Sequence, residues 1–132
     1  MAIEGKYEME SSEHFEEFVK EMGLEVDMTN IDLSKTSTME ISKDGDSYLI
    51  KSNTAGIIHE IKFKLDDEFD DDMNGHKFKN IVKMDGDNKM VQTKTSIDGG
   101  KVVNVLREFT DNGCTVKSTY NNVTWTRVYK RV

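Results

Sequence analysis

Two periodicities divide the chain. In SEHFEEFVKEMG, the residues Phe15, Phe18, Val19 and Met22 recur at steps of three and four, which predicts an amphipathic helix. Ser12 stands where an N-cap is expected, with Glu13, Glu16 and Glu17 toward the positive end of the helix dipole and Gly23 as the stop. A weaker stripe in VDMTNIDLSK puts Val26, Met28 and Ile31 on one face. It predicts a second short helix, joined to the first through GLEVD as a helix-turn-helix pair.

After residue 36 the period shortens to two. YLIKS and IIHEIKFKL alternate apolar and polar positions, and FKNIVKM sets Phe78, Val82 and Met84 against Lys79 and Lys83. These runs are punctuated by Asp44-Gly45, Asn74-Gly75, Asp85-Gly86, Asp98-Gly99-Gly100, Asn112-Gly113 and Asn121-Asn122, all turn-forming sequences. With GKYEME near the start, about ten strands are predicted. Successive antiparallel strands joined by tight turns predict an up-and-down barrel under a helix-turn-helix lid, one domain over residues 1–132.

The faces expected to point inward are not uniformly apolar. Phe78 shares its face with Asn80, Met90 with Gln92 and Lys94, and Val105 and Phe109 with Arg107. The closing WTRVYKRV places Arg127 between Trp125 and Tyr129. A dry core would be destabilised by each unpaired polar group, most of all by an arginine. Ten strands enclose more space than side chains fill, so these faces read as the wall of a solvated cavity.

Composition narrows the function. The 132 residues carry a net charge of −7, which argues against nucleic acid as a partner. The lone Cys114 cannot form an internal disulfide, and MAIEGKYEMESS has neither an apolar run nor a basic leader, so a cytoplasmic protein is expected. No run approaches the roughly 18 apolar residues of a membrane span. The absence of proline suits long stretches of hydrogen-bonded backbone.

EGKYEMESSEHFEEFVKEMGL, FKLDDEF, GHKFKNIVKMDGDNKMVQT, VLREF and WTRVYKRV, in that order and spacing, resemble the intracellular lipid-binding proteins of the fatty-acid-binding type over the whole length. The resemblance implies a ten-stranded antiparallel barrel holding a long-chain fatty acid or similar amphipathic lipid, as a monomer without cofactor or metal, in transient contact with membranes. It implies that Arg107, Arg127 and Tyr129 grip the ligand carboxylate. The chemistry is apt, since a guanidinium fork matches a carboxylate and a phenol adds a donor. The cavity and its portal would draw on Phe15, Met28, Thr29 and Ile31 in the lid, and on Thr54, Gly56 and Met73 near the turns. Phe78, Gln92, Val116 and Trp125 would line the wall. Gly56 replaces a bulky aromatic common in the family, Thr29 replaces a basic residue, and Trp125 is large for its place and would shorten the cavity.

Other readings are weaker. TAG and MNGHKFK look closer to a bile-acid branch, and retinoids are a further alternative cargo. An isomerase using Tyr129 as acid lacks a paired general base. A secreted lipocalin would want a leader and a cysteine pair. Asp70, Asp72, Asn74 and Gly75 match the start of a calcium loop, but Ile81 stands where its closing glutamate belongs. Asn122-Val123-Thr124 is a glycosylation sequon with no expected route to the secretory lumen, and His14, His59 and His76 have no metal-ligand spacing. Arg107 and Arg127 as surface residues, the lid stripe as plain packing, Lys94 snorkelling at a barrel end and Cys114 as an inert thiol are the bland alternatives.

Overall fold

The computed structural model describes residues 3–23, 37–54, 57–73, 76–98 and 100–132. The predicted second helix, with Met28, Thr29 and Ile31, lies outside these residues, as do Gly56 and the side chain of Met73. The described elements are one helix, α1 (Phe15–Met22), and ten strands. The strands are β1 (Gly5–Glu13), β2 (Thr38–Asp44), β3 (Ser47–Thr54), β4 (Ile57–Lys64), β5 (Phe69–Met73), β6 (His76–Met84), β7 (Lys89–Ser96), β8 (Val102–Phe109), β9 (Gly113–Tyr120) and β10 (Val123–Arg131).

All ten strands form one antiparallel sheet in the order β4-β3-β2-β1-β10-β9-β8-β7-β6-β5. Every hairpin except β3–β4 falls at a turn signal named from the sequence, and the two ends of the chain meet where β1 pairs with β10, from Tyr7↔Arg131 to Glu13↔Thr126. That pairing curls the meander into a nearly closed barrel. The alternation expected of half-buried strands is clear in β7, where Met90, Gln92 and Lys94 are buried and their neighbours are not. The core runs along the inner wall through Tyr7, Ile41, Phe78, Val82, Phe109 and Val116.

One seam is left without a hydrogen-bonded ladder, between the edge strands β4 and β5. Side chains close it. Phe63 of β4 stacks on Phe69 of β5 with ring centroids 5.4 Å apart. His59 Nε2 of β4 meets Asp71 Oδ1 of β5 at 2.8 Å, and Lys94 Nζ donates to Asp71 Oδ2 at 3.0 Å. Burial alone would raise the Asp71 carboxyl, but the hydrogen bond from His59 and the charge of Lys94 outweigh it and hold it below the usual carboxylate range.

The helix differs from expectation at its start. Ser12 is not the N-cap: β1 runs on to Glu13, and His14 turns the chain in the left-handed region with φ 69° and no side-chain cap. Ser12 pairs with Arg127 in the sheet, and its hydroxyl accepts a hydrogen bond from Trp125 Nε1 at 2.9 Å. The strand ladder wins because each added residue satisfies backbone groups that a side-chain cap would satisfy only once. The C-terminal stop is as expected: Gly23, at φ 70°, donates its N–H back to the Lys20 carbonyl. Phe18 and Met22 are buried, and Phe15 and Phe18 pack on Trp125 at centroid distances of 4.7 and 5.9 Å.

Two outcomes test this architecture. A Cβ on Gly113 would lie 2.0 Å from the carbonyl oxygen of Tyr129, so Gly113→Ala must push β10 off β9. Its unfolding free energy is expected to fall by about 2 kcal/mol in urea titrations; an unchanged midpoint would refute the close approach. Asp71→Asn strands the buried Lys94 charge and is expected to cost about 3 kcal/mol near neutrality. Because the folded Asp71 is lowered, the wild-type advantage is complete above the ordinary carboxylate pKa of about 4 and is lost as pH falls through the lower folded value. The mutant's deficit should therefore be smaller at about pH 3 than near neutrality. A deficit independent of pH would show that Asp71 is not the group titrating.

Candidate functional site

The inner wall encloses a cavity of about 260 Å³. Its floor and sides carry Gln92, Lys94, Arg107, Ser118 and Arg127, while Phe15, Phe18 and Val19 of α1 cover it. The expected residues Phe15, Thr54, Gln92, Arg107, Trp125 and Arg127 all line this space. Phe78 and Val116 are buried in the wall just behind it. Tyr129 is also buried, with its hydroxyl set against Arg127.

The register explains why the two arginines meet. Arg107 on β8 and Arg127 on β10 are both paired with Val116 on the intervening β9. They therefore project inward at one level, separated by two strand widths, or about 10 Å between their Cα atoms. Each is oriented by a different neighbour. Arg107 Nη1 donates to Gln92 Oε1 at 2.7 Å, and Gln92 Nε2 donates to Asn80 Oδ1 at 2.8 Å. This relay crosses β6, β7 and β8 and turns the amide oxygen of Gln92 toward the guanidinium. Arg127 Nη2 donates to Ser118 Oγ at 2.9 Å, and its guanidinium carbon lies over the Trp125 ring, 3.8 Å from the centroid.

Trp125 thus does two things. Its ring contacts both Arg127 and the helix residues Phe15 and Phe18, so lid and charged floor share one aromatic side chain.

These groups are electrostatically unsatisfied. Neither arginine pairs with a carboxylate among the described residues. Arg107 Nε and Arg127 Nε are enclosed with no protein partner. Burial and the neighbouring Arg127 charge push Arg107 down to about 10, so it remains a cation at neutral pH. Burial likewise lowers Arg127. Burial raises Tyr129, against the pull of both arginines, so its phenol keeps its proton and remains a donor. Two guanidinium groups line a common space, and among the described residues neither is paired with a carboxylate; the Tyr129 phenol sits against Arg127.

Asn80 and Ser118 complete the site; Asn80 was expected on an inward face beside Phe78 but not as a site residue, and Ser118 was not named from the sequence. The available signal was a polar residue on an apolar, inward-facing alternation, which Asn80 shows beside Phe78. Lys94 does not snorkel out of a barrel end. It is buried, and its ammonium crosses 5.4 Å from the Phe78 ring centroid to reach Asp71. Cys114 is buried, and burial pushes its thiol up to about 12, so it is inert as a nucleophile.

Comparison with known proteins agrees with this geometry. The model of the lipocalin / cytosolic fatty-acid binding protein family matches residues 1–132. A fatty acid-binding protein of Tyrophagus putrescentiae is 42% identical over 130 residues, covering 98% of this chain and 97% of its own. The human cellular retinoic acid-binding protein 2 is 34% identical over 132 residues, covering 96% of each. A crystal structure of a fatty acid-binding protein from Drosophila melanogaster brain tissue superposes with a TM-score of 0.82 at 35% identity, covering 95% of both chains. With an inward-facing arginine pair inside a ten-stranded barrel and a family match along its whole length, this chain belongs to the lipocalin / cytosolic fatty-acid binding protein family.

Proposed function

We propose that this protein is a cytoplasmic, monomeric, non-covalent carrier of long-chain fatty acids, with the ligand carboxylate held by Arg107, Arg127 and Tyr129. The observation that carries the reading is the pair of enclosed arginines at one level of the barrel with no anionic partner among the described residues. A carboxylate supplies the missing charge and accepts in the plane of each guanidinium fork. The names of the relatives, which are binding proteins, support a carrier over an enzyme.

The tail is recognised by area. At about 0.8 kcal/mol per buried CH₂, a sixteen-carbon chain gains on the order of 10 kcal/mol, of which association and ordering costs remove several. Binding is therefore sub-micromolar in order of magnitude and tolerant of tail type, and delivery proceeds by reversible exchange during transient contact with membranes. A retinoid acid is the second reading. It is supported by the likeness to a retinoic acid-binding protein, and it would use the same arginines.

Free fatty acids are expected to displace a fluorescent probe far better than their methyl esters, by about tenfold or more, because a charge-assisted bond contributes about 1.5–3 kcal/mol. Equal affinities would remove the carboxylate from the reading, and a bound lipid recovered chemically altered would remove the carrier.

Arg127→Leu is expected to bind oleate more weakly by about 2 kcal/mol. The delipidated mutant should nevertheless be about 1 kcal/mol more stable than wild type, since an unpaired buried cation is replaced by an apolar group. Urea unfolding with and without oleate reads both quantities. Undiminished binding would place the site elsewhere, and a loss of ligand-free stability would show that Trp125 and Ser118 already compensate the charge.

A further inference from the structure

The cavity has a second polar pole beside the arginines, further along β7 and within reach of both their charges. Met90 stands in register with Arg107, and Lys94 lies four residues further along β7, roughly 13 Å along the strand. Its side chain does not leave the barrel. To reach Asp71, which pairs with Phe78 on β6, it must pass over the inner face of β6, and its ammonium lies 5.4 Å from the Phe78 ring centroid. Lys94 is therefore spread along the cavity wall, and both it and His59 line the same space as the two arginines.

The hydrogen-bond inventory leaves this pole under-used. An ammonium has three N–H donors. Among the described residues one goes to Asp71 Oδ2, and the Phe78 ring covers another side. Asp71 is closer to saturation: Oδ1 takes His59 Nε2 and the N–H of Asp72, and Oδ2 takes Lys94. The side chains of Lys94 and Asp71 are 5% and 6% exposed, so bulk water does not readily serve the remaining ammonium donor.

A bridge that served only to fasten β4 to β5 would not need this lysine, because His59 and Asp71 already span the seam. Charge then selects the partner. The arginines lack an anion, whereas Lys94 and Asp71 neutralise each other. A second carboxylate here would face Asp71 as a like charge, but a neutral oxygen would accept from the ammonium without that repulsion.

We propose that Lys94 is a second ligand-binding group that donates a hydrogen bond to an oxygen substituent carried part-way along the chain, beyond the carboxylate, so that the preferred ligands are fatty acids bearing an in-chain hydroxyl or keto group. This rests on the fatty-acid reading above and specifies the ligand class for the same cavity. A keto oxygen can only accept a hydrogen bond, so hydroxyl and keto derivatives should both gain, provided the oxygen falls opposite Lys94.

The experiment is isothermal titration of the delipidated protein with octadecanoic acid, its positional hydroxy and keto isomers, and the α,ω-dicarboxylic acid of the same length. One narrow set of isomers is expected to bind about tenfold tighter than the parent acid, as one added charge-assisted hydrogen bond allows. The dicarboxylate should show no gain. Lys94→Met should abolish the gain, bringing the ratio of oxygenated to parent acid affinity to about one, whatever it does to each affinity alone. If Lys94→Met does not fold, Lys94→Met combined with Asp71→Leu removes both charges together, a replacement that buried ion pairs tolerate, and reads the same ratio.

A merely structural lysine would change stability without changing the ratio of oxygenated to parent acid. The proposal is overturned if the parent acid binds and no isomer gains, if the dicarboxylate gains instead, or if the preference survives loss of Lys94. If the parent acid itself does not bind, the carrier reading fails, and the inference fails with it.

Discussion

Two arginines project inward at one level of the barrel, their backbones two strand widths apart across Val116, and among the described residues neither guanidinium pairs with a carboxylate. Most of the surrounding structure can be understood as the cost of keeping them there. Charge enclosed in protein is tolerated only where hydrogen bonds replace the lost water. Gln92 and Asn80 form a relay behind Arg107, while Ser118 and the Trp125 face hold Arg127. These contacts fix the direction of each fork but leave an Nε on each without a partner. The result is a site that is oriented in advance and still lacks its counter-charge, which is the condition under which a bound anion gains most.

The same economy of side chains links the lid to the floor. Trp125 anchors through its indole N–H to Ser12, carries Phe15 and Phe18 on its ring, and supports Arg127. Movement of α1 and reorientation of Arg127 are therefore not independent. On the opposite wall, the seam between β4 and β5 has no backbone ladder, and its cohesion depends on Phe63 against Phe69 and on the Asp71 cluster. A seam closed by side chains separates more readily than one closed by a ladder, because fewer bonds must break together.

Much of the fold was legible in the sequence. The two-residue alternation and the turn dipeptides identified a ten-stranded meander, and the helical stripe with Gly23 identified α1 and its end. Arg127 between two aromatics, and Arg107 between Val105 and Phe109, were already anomalous for a dry core. The N-cap was misread because Ser12 satisfies the local rule for a cap, while its pairing with Arg127 joins residues more than a hundred positions apart. Asn80 was placed inward but given no role, and Ser118 was not named, because alternation shows that a polar side chain points inward but not what it will meet.

What the sequence determined by itself was the face of each residue, since the period of a strand is a local property of the backbone. That was enough to place two arginines and a tyrosine on inward faces and to predict an interior too polar to be dry. Only the tertiary structure decided which inward residues share a level. The β8–β9 and β9–β10 registers bring Arg107 and Arg127 to the same valine, and the curl of the sheet brings Asp71, His59 and Lys94 together from three strands. Relative height in a barrel accumulates over every hairpin and over the β1–β10 closure, so it is a property of the whole sheet and cannot be read from any one segment.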